Sequence, residues 1–298
     1  MKKIFLISLL ELFVFGLFSC RSTKMTLNDL TEIKEGKYTC YFDNVYHDFI
    51  IDLPEDYDSQ KSIPLVILLH GYGNSAESFR TDTEFHKAAN LRGYAVVYVT
   101  GAKNKNDRTS SVGWNSGISK DGNNDVGFLV TLVNYLQEEY GFDKTRTYSA
   151  GFSNGGFMNH RLAMEAGDTF RACVSVAGKM PDQLWNQRNE KNNISFMQVS
   201  GEKDDVVPKK SNGTARYAKD PAIEDVVEYW AASNGLEESE IIDMPKGSVL
   251  TKWKSKNNES VNQVWHLLVK GGYHSWPTEE INEIEINDLI LDFFDEVK

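Results

Sequence analysis

The sequence predicts an α/β fold, a mostly parallel central sheet with helices on both faces. Two patterns and one absence lead there. Short apolar runs recur at Pro64–Leu69, Tyr94–Val99, Thr145–Ala150, Cys173–Ala177 and Ser195–Val199; runs of this length fit strands buried on both faces. Stretches with helical apolar spacing lie between them, and strands alternating with helices build an open sheet through right-handed crossovers. No internal repeat and no Ser/Gly/Pro-rich tract divides the 298 residues, and the seven prolines are scattered, so one large domain is favoured over two small ones.

The elements follow in order. Residues 21–37 are polar and read as a tether. Tyr46–Leu53 alternates enough for an early antiparallel strand, and Pro54–Ser62 makes a turn. The strand at Pro64–Leu69 leads to helical spacing over Ala76–Leu91, then to the strand at Tyr94–Val99. Asp125–Tyr140 sets Phe128, Leu129, Leu132, Val133 and Leu136 on one helical face. Thr145–Ala150 is followed by a helix over Gly155–Ala166, and Ile223–Ser233 is the next helix after the strands at Cys173–Ala177 and Ser195–Val199. Val264–Val269 alternates as a last strand. Glu279–Val297 closes the chain as an amphipathic helix with Ile281, Ile284, Ile286, Leu289, Ile290, Phe293 and Phe294 on one broad apolar face.

Composition narrows the function classes. With 41% hydrophobic and 25% charged residues the chain is an ordinary globular protein with a sizeable core. Its 43 acidic against 32 basic side chains give a net charge of −11, and such a surface repels phosphate backbones, so nucleic acid is excluded as a partner. Three cysteines are too few for a disulfide scaffold.

The odd cysteine has an explanation at the start of the chain. Lys2 and Lys3 precede an apolar run from Ile4 to Phe18, interrupted by Ser8, Glu11 and Gly16. A charged start and a run of this length read as a secretory signal, too short for a comfortable membrane span. The residues Leu17-Phe18-Ser19-Cys20 resemble a bacterial lipoprotein box. That resemblance implies a signal peptide over 1–19, a lipidated Cys20, a tether over 20–37 and a single domain over 38–298. It further implies a location at the outer membrane or cell surface, with membrane contact only through the lipid; without the lipid the protein is secreted or periplasmic. Cys173 lies in a strand-like run and is expected as a buried free thiol, while a pairing with Cys40 is left open.

The chemistry gathers around Ser153. It is the centre of G-x-S-x-G in Gly151-Phe152-Ser153-Asn154-Gly155, where a predicted strand ends and a predicted helix begins. A sharp strand-to-helix turn holds a nucleophile in strained torsions, and glycine two residues to either side removes the collisions this causes. A serine hydroxyl needs a base, an orienting carboxylate and donors for the oxyanion. Of six histidines only His160, His266 and His274 follow Ser153. His160 points along the helix after the serine and His266 lies inside a strand, whereas His274 stands in the loop Gly271–Pro277, between the last strand and the last helix. The carboxylate is expected on the loop Gly201–Pro208, where Asp204 and Asp205 both qualify by position. Backbone amides of Asn154 and of Tyr72, in the glycine-lined loop His70–Asn74, are placed to serve as oxyanion donors, with His70 shaping that loop.

With these loops assembled, the chain resembles the secreted esterase family that includes polyhydroxybutyrate depolymerases and feruloyl and acetylxylan esterases. The resemblance runs from about Tyr46 to the C-terminus. The family's G-x-S-N-G-G is Gly151–Gly156, its G-x-x-D-x-x-V-P fits Gly201–Pro208 and picks out Asp204, and its G-G-x-H-x-W-P is Gly271–Pro277. A further family segment appears as Trp114-Asn115 and Asp125-Val126-Gly127-Phe128. Family members often carry a disulfide near the nucleophile and cysteines around the tryptophan-asparagine loop, and this chain has none there.

The resemblance implies an α/β-hydrolase fold and two-step ester hydrolysis by Ser153, His274 and Asp204, with no metal or organic cofactor. Trp114, Trp276 and Tyr72 are expected to gather near the nucleophile, with Trp114 and Trp276 as the substrate-binding aromatics, since aromatic faces suit a sugar or cinnamoyl ring. Feruloyl or acetyl esters on plant polysaccharide are the favoured substrates. Short-chain hydroxyalkanoate polyesters are the alternative, disfavoured because their depolymerases commonly carry a surface-binding module for which room is not expected here. Two other classes compete: a serine peptidase of the prolyl-oligopeptidase type, which usually has a gating domain, and a non-catalytic surface binding protein, which would not need all three loops.

Overall fold

A computed structural model describes residues 26–103, 111–117, 122–189, 193–210, 219–256 and 260–298. The proposed signal, its lipidated Cys20 and the first part of the tether lie outside the described residues. The chain opens with β1 (Asn28–Lys34), β2 (Lys37–Phe42), β3 (Val45–Asp52) and β4 (Leu65–Leu69), then α1 (Ala76–Thr83), α2 (Phe85–Leu91) and β5 (Ala95–Val99). A small antiparallel pair, β6 (Ala102–Lys103) and β7 (Val112–Gly113), precedes α3 (Asp125–Tyr140). Then come β8 (Thr147–Phe152), α4 (Asn154–Glu165), β9 (Ala172–Val176), α5 (Asp182–Trp185), β10 (Ser195–Gly201) and α6 (Ile223–Ser233). The last part is β11 (Glu238–Met244), β12 (Ser248–Lys254), β13 (Val264–Val269), α7 (Glu279–Asn282) and α8 (Ile286–Glu296).

Eleven of these strands form one sheet in the order β1-β2-β3-β5-β4-β8-β9-β10-β13-β12-β11. The centre from β5 to β13 is parallel, and both flanks are antiparallel. The expected doubly covered sheet is borne out residue by residue. In β4, Leu65, Ile67 and Leu69 pack into the core under α3, α4 and α6, while Val66 and Leu68 pack into the opposite core under α1, α2 and α8. All five are fully buried, and each contributes roughly 1.5–3 kcal/mol of transfer free energy. No polar face interrupts the run because neither face of the strand meets water.

Three expectations change. The helix read over Ala76–Leu91 is two helices, because Glu84 takes a left-handed conformation (φ 47°) that ends α1 and starts α2. The same happens in the last helix at Glu283 (φ 56°), which separates α7 from α8. The tether expected over 20–37 is not a tether from residue 28 onward. Asn28–Lys34 pairs antiparallel with β2 as the sheet's outermost strand, and Leu27 and Leu30 pack against the core. An edge strand with most of its residues exposed carries too little apolar signal to be recognised, and the opposite edge, β11, is equally exposed. Cys40 and Cys173 are both buried and unpaired.

Candidate active site

The parallel strands β4, β8, β10 and β13 end on the same side of the sheet, and the loops that leave those ends carry the expected residues. Ser153 joins β8 to α4 with φ 51° and ψ −115°. A side chain rarely accepts such torsions. The turn is held by the Ser153 N–H, which donates to the Val176 carbonyl at 2.8 Å. The flanking glycines are there for space: a Cβ on Gly155 would run into the Leu69 carbonyl, and one on Gly151 would stand 2.6 Å from the Gly155 backbone.

His274 leaves β13 through Gly271 and Gly272, and its loop is tied to the loop after β10. The Lys203 N–H donates to the Gly272 carbonyl at 2.7 Å, and the Glu202 carboxylate accepts from the Gly271 N–H at 3.0 Å and the Lys270 ammonium at 2.6 Å. Those bonds bring three side chains into one line. His274 Nε2 is 2.9 Å from Ser153 Oγ, and His274 Nδ1 is 2.8 Å from Asp204 Oδ2. A carboxylate can only accept, so Nδ1 carries the proton and Nε2 presents its lone pair to the serine hydroxyl. The other oxygen of Asp204 accepts the N–H groups of Val206 (3.0 Å) and Val207 (2.7 Å). Val207 is buried against Phe157, which turns the loop inward and buries Asp204, whereas Asp205 is exposed to solvent. Burial separates two aspartates that position alone left equal.

The loop after β4 is shaped by His70. Its Nε2 accepts the Gly101 N–H at 2.9 Å, so Nδ1 holds the proton and donates to the Gly71 carbonyl at 2.6 Å. Burial pushes the imidazole pKa down to about 4, keeping it neutral in this role. The Gly71 carbonyl and the Tyr72 N–H belong to one planar peptide, so fixing the first fixes the second. A Cβ on Gly71 would lie 3.5 Å from Ser153 Cβ, so this loop runs beside the nucleophile. Asn154 opens α4, where first-turn N–H groups have no acceptor within the helix.

The two tryptophans expected to bind substrate both have partners within the protein. Trp114 is 4% exposed, and its indole N–H donates to the His70 carbonyl at 3.0 Å. Trp276 donates to Asn287 Oδ1 on α8 at 3.0 Å and packs edge-on against Phe79 of α1, toward the core under those helices. An aromatic residue in a loop beside a nucleophile can face inward or outward, and spacing does not say which. Exposed rings beside the triad are Tyr72 (49%) and Tyr273 (63%); nothing in the sequence marks Tyr273 apart from its place next to His274. His160 is buried between Gln198 (3.2 Å) and Trp230 (3.4 Å), and burial pushes its pKa down to about 3. His266 lies within β13, also buried, with its pKa near 4.

A model of the family described as "Putative esterase" matches residues 47–208, more than half of the chain. Over 235 residues the chain is 29% identical to "Putative esterase NocK" of Nocardia uniformis subsp. tsuyamanensis, covering 72% of this chain and 65% of that protein, just under two thirds of its length. It is 23% identical over 249 residues to "Probable feruloyl esterase C" of Aspergillus clavatus, covering 81% of this chain and 82% of that one. Among solved structures, the acetyl xylan esterase from Aspergillus awamori superposes with a TM-score of 0.61 at 13% identity, covering 84% of this chain and 94% of that one, a likeness of fold.

Proposed function

The chain belongs to this esterase family, and from that membership we propose that it is a serine carboxylic ester hydrolase of the feruloyl or acetylxylan type, with Ser153, His274 and Asp204 as its catalytic triad. The observation that carries the assignment is the continuous Ser153–His274–Asp204 hydrogen-bond line at 2.9 and 2.8 Å, drawn from three separate loops. Ser153 Oγ attacks the ester carbonyl while its proton passes to His274 Nε2, and Asp204 stabilises the imidazolium through Nδ1–H. The tetrahedral oxyanion lies against the N–H groups of Tyr72 and Asn154. His274 returns the proton to the departing alcohol, leaving an acyl-Ser153. A water then attacks, giving a proton to His274, which passes it to the departing Ser153 Oγ as the acid is released.

The substrate class rests on the named relatives and on the exposed rims of Tyr72 and Tyr273, aromatic faces that suit a cinnamoyl or sugar ring. The N-terminal residues 1–20 support export with a lipid anchor at Cys20. The test is a Ser153→Ala variant assayed on nitrophenyl acetate, beside a panel in which the native protein is offered feruloyl, acetyl-xylan, hydroxybutyrate and peptide substrates. Turnover is expected to vanish in the variant, and ferulate or acetate to be released fastest. Retained turnover overturns the nucleophile, and amide cleavage exceeding ester cleavage overturns the reaction class.

A further inference from the structure

The two amides assigned to the oxyanion belong to separate loops, and a short segment of chain is bonded to both. Residues 112–115 lie between the loop after β4 and the start of α4. On the first side, the Val112 carbonyl accepts the Gly73 N–H at 2.8 Å and the Trp114 indole donates to the His70 carbonyl at 3.0 Å. These contacts bracket Tyr72 from both directions along the chain. On the second side, the Asn154 side chain pairs with the Trp114 backbone as one strand pairs with another: Oδ1 accepts the Trp114 N–H at 2.6 Å, and Nδ2 donates to the Trp114 carbonyl at 3.1 Å. Gly113 sits where the two sides meet, since a Cβ there would stand 2.9 Å from Asn154 Oδ1 and 3.0 Å from the Tyr72 ring.

The far end of the segment is clamped as well. Asp125 Oδ2 accepts the Asn115 N–H at 2.6 Å, and Arg161 of α4 donates to the Asn115 carbonyl at 2.5 Å while ion-paired to Glu165. Every backbone polar group of Trp114 and Asn115 is therefore held by a side chain, in a loop where this chain has no cysteine to form a cross-link.

We propose that residues 112–115 are a splint that sets the separation of the Tyr72 and Asn154 amides, with Trp114 and the side chain of Asn154 as its positioning residues. The inference rests on the triad assignment above. Preorganised donors act only if they stay where the oxyanion will form, and a donor that drifts is lost as surely as one deleted. The splint therefore acts on the transition state and leaves ground-state binding alone.

Two variants test it. Trp114→Phe keeps the buried ring and removes the indole donor to His70; Asn154→Ala removes both bonds to Trp114 and keeps the Asn154 backbone amide. Each is measured on nitrophenyl acetate for kcat and KM, for inhibition by phenylboronic acid, which forms an anionic tetrahedral adduct on a serine, and for its melting temperature. A drop in kcat of about tenfold to a hundredfold is expected, below the cost of deleting a donor outright. KM is expected to stay within about twofold, and boronate inhibition to weaken in parallel with kcat. Folded variants with native kcat, or a loss carried by KM alone, overturn the splint; so does failure of both variants to fold, which would make the segment a stability element. Ser153→Ala is run alongside. If it is inactive while both splint variants are unimpaired, the splint alone falls, whereas turnover retained by Ser153→Ala removes the triad assignment and the splint together.

Discussion

At the scale of single residues, the environment of Asp204 decides what its chemistry is for. Both of its oxygens are occupied, one by two backbone N–H groups and the other by His274. Asp204→Asn would present an amide donor to Nδ1 and favour the tautomer that faces Ser153 with N–H in place of a lone pair. A fall in kcat of about 10⁴-fold is expected, with the fold retained. Asp205→Asn, at an exposed position, is the control and stays within about twofold; equal losses in the two variants would remove the distinction. Ser153 and His274 were legible in the sequence because their loops need glycines at fixed offsets. Asp204 was legible only to within one residue, since its neighbour is the same amino acid and burial, which separates them, is a tertiary property. Trp114 is visible in the sequence as an aromatic residue, but its burial is a tertiary property. Its surroundings, with those of Asn115 beside it, are built by His70 from the loop after β4, Asp125 from α3, and Asn154 and Arg161 from α4, three parts of the fold that the chain does not place side by side.

At the scale of elements, the parallel strands were readable and the boundaries of the helices were not. A strand such as Leu65–Leu69, buried on both faces, writes its environment directly into composition. A left-handed glutamate does not: Glu84 and Glu283 each break a helix at a residue with ordinary helix propensity, so apolar spacing continues through the break. The edge strands β1 and β11 escaped for the opposite reason, having too few buried positions to show alternation. Where glycine ends a helix the geometry is testable. Gly141 closes α3 at φ 68°, and a Cβ on it would sit 2.9 Å from the Ser59 carbonyl. Gly141→Ala is expected to cost at least about 1–2 kcal/mol from the left-handed torsion alone, with the carbonyl contact adding to it. A denaturation midpoint unchanged from the native protein would contradict that reading of the cap.

At the scale of the whole molecule, burial has taken four imidazoles out of water. His47, His70 and His266 are pushed down to about 4 and His160 to about 3, all by desolvation. In the unfolded chain each returns to about 6.5. Protons then bind the unfolded state first, so these groups stabilise the fold fully above about pH 6.5 and lose that contribution as the pH falls toward 4. Asp125 works the other way: burial raises its carboxyl to about 6, so its contribution is complete below about pH 4 and lost as the pH rises through 6. The buried histidines, joined by His86 and by carboxyls held low in hydrogen bonds and ion pairs such as Asp143 and Glu202, outnumber the carboxyls that burial raises, Asp125 and Asp220, and that gives the sign. Urea midpoints are expected to fall steadily from pH 6.5 to pH 4, and a flat profile across that interval would show that the histidines are not held neutral.

The two unpaired thiols carry a consequence of a different kind. Cys40 stands in β2 near one flank of the sheet and Cys173 in β9 at its centre, both fully buried. Burial holds the Cys40 thiol up at about 12 and pushes that of Cys173 up as well, so neither is a nucleophile while the sheet is closed. Among the described residues no disulfide contributes to the cohesion of the sheet. Its thiols also act as internal clocks: each becomes reactive only when its own part of the sheet opens, so the rates at which they are modified separate the fraying of a flank from the parting of the centre.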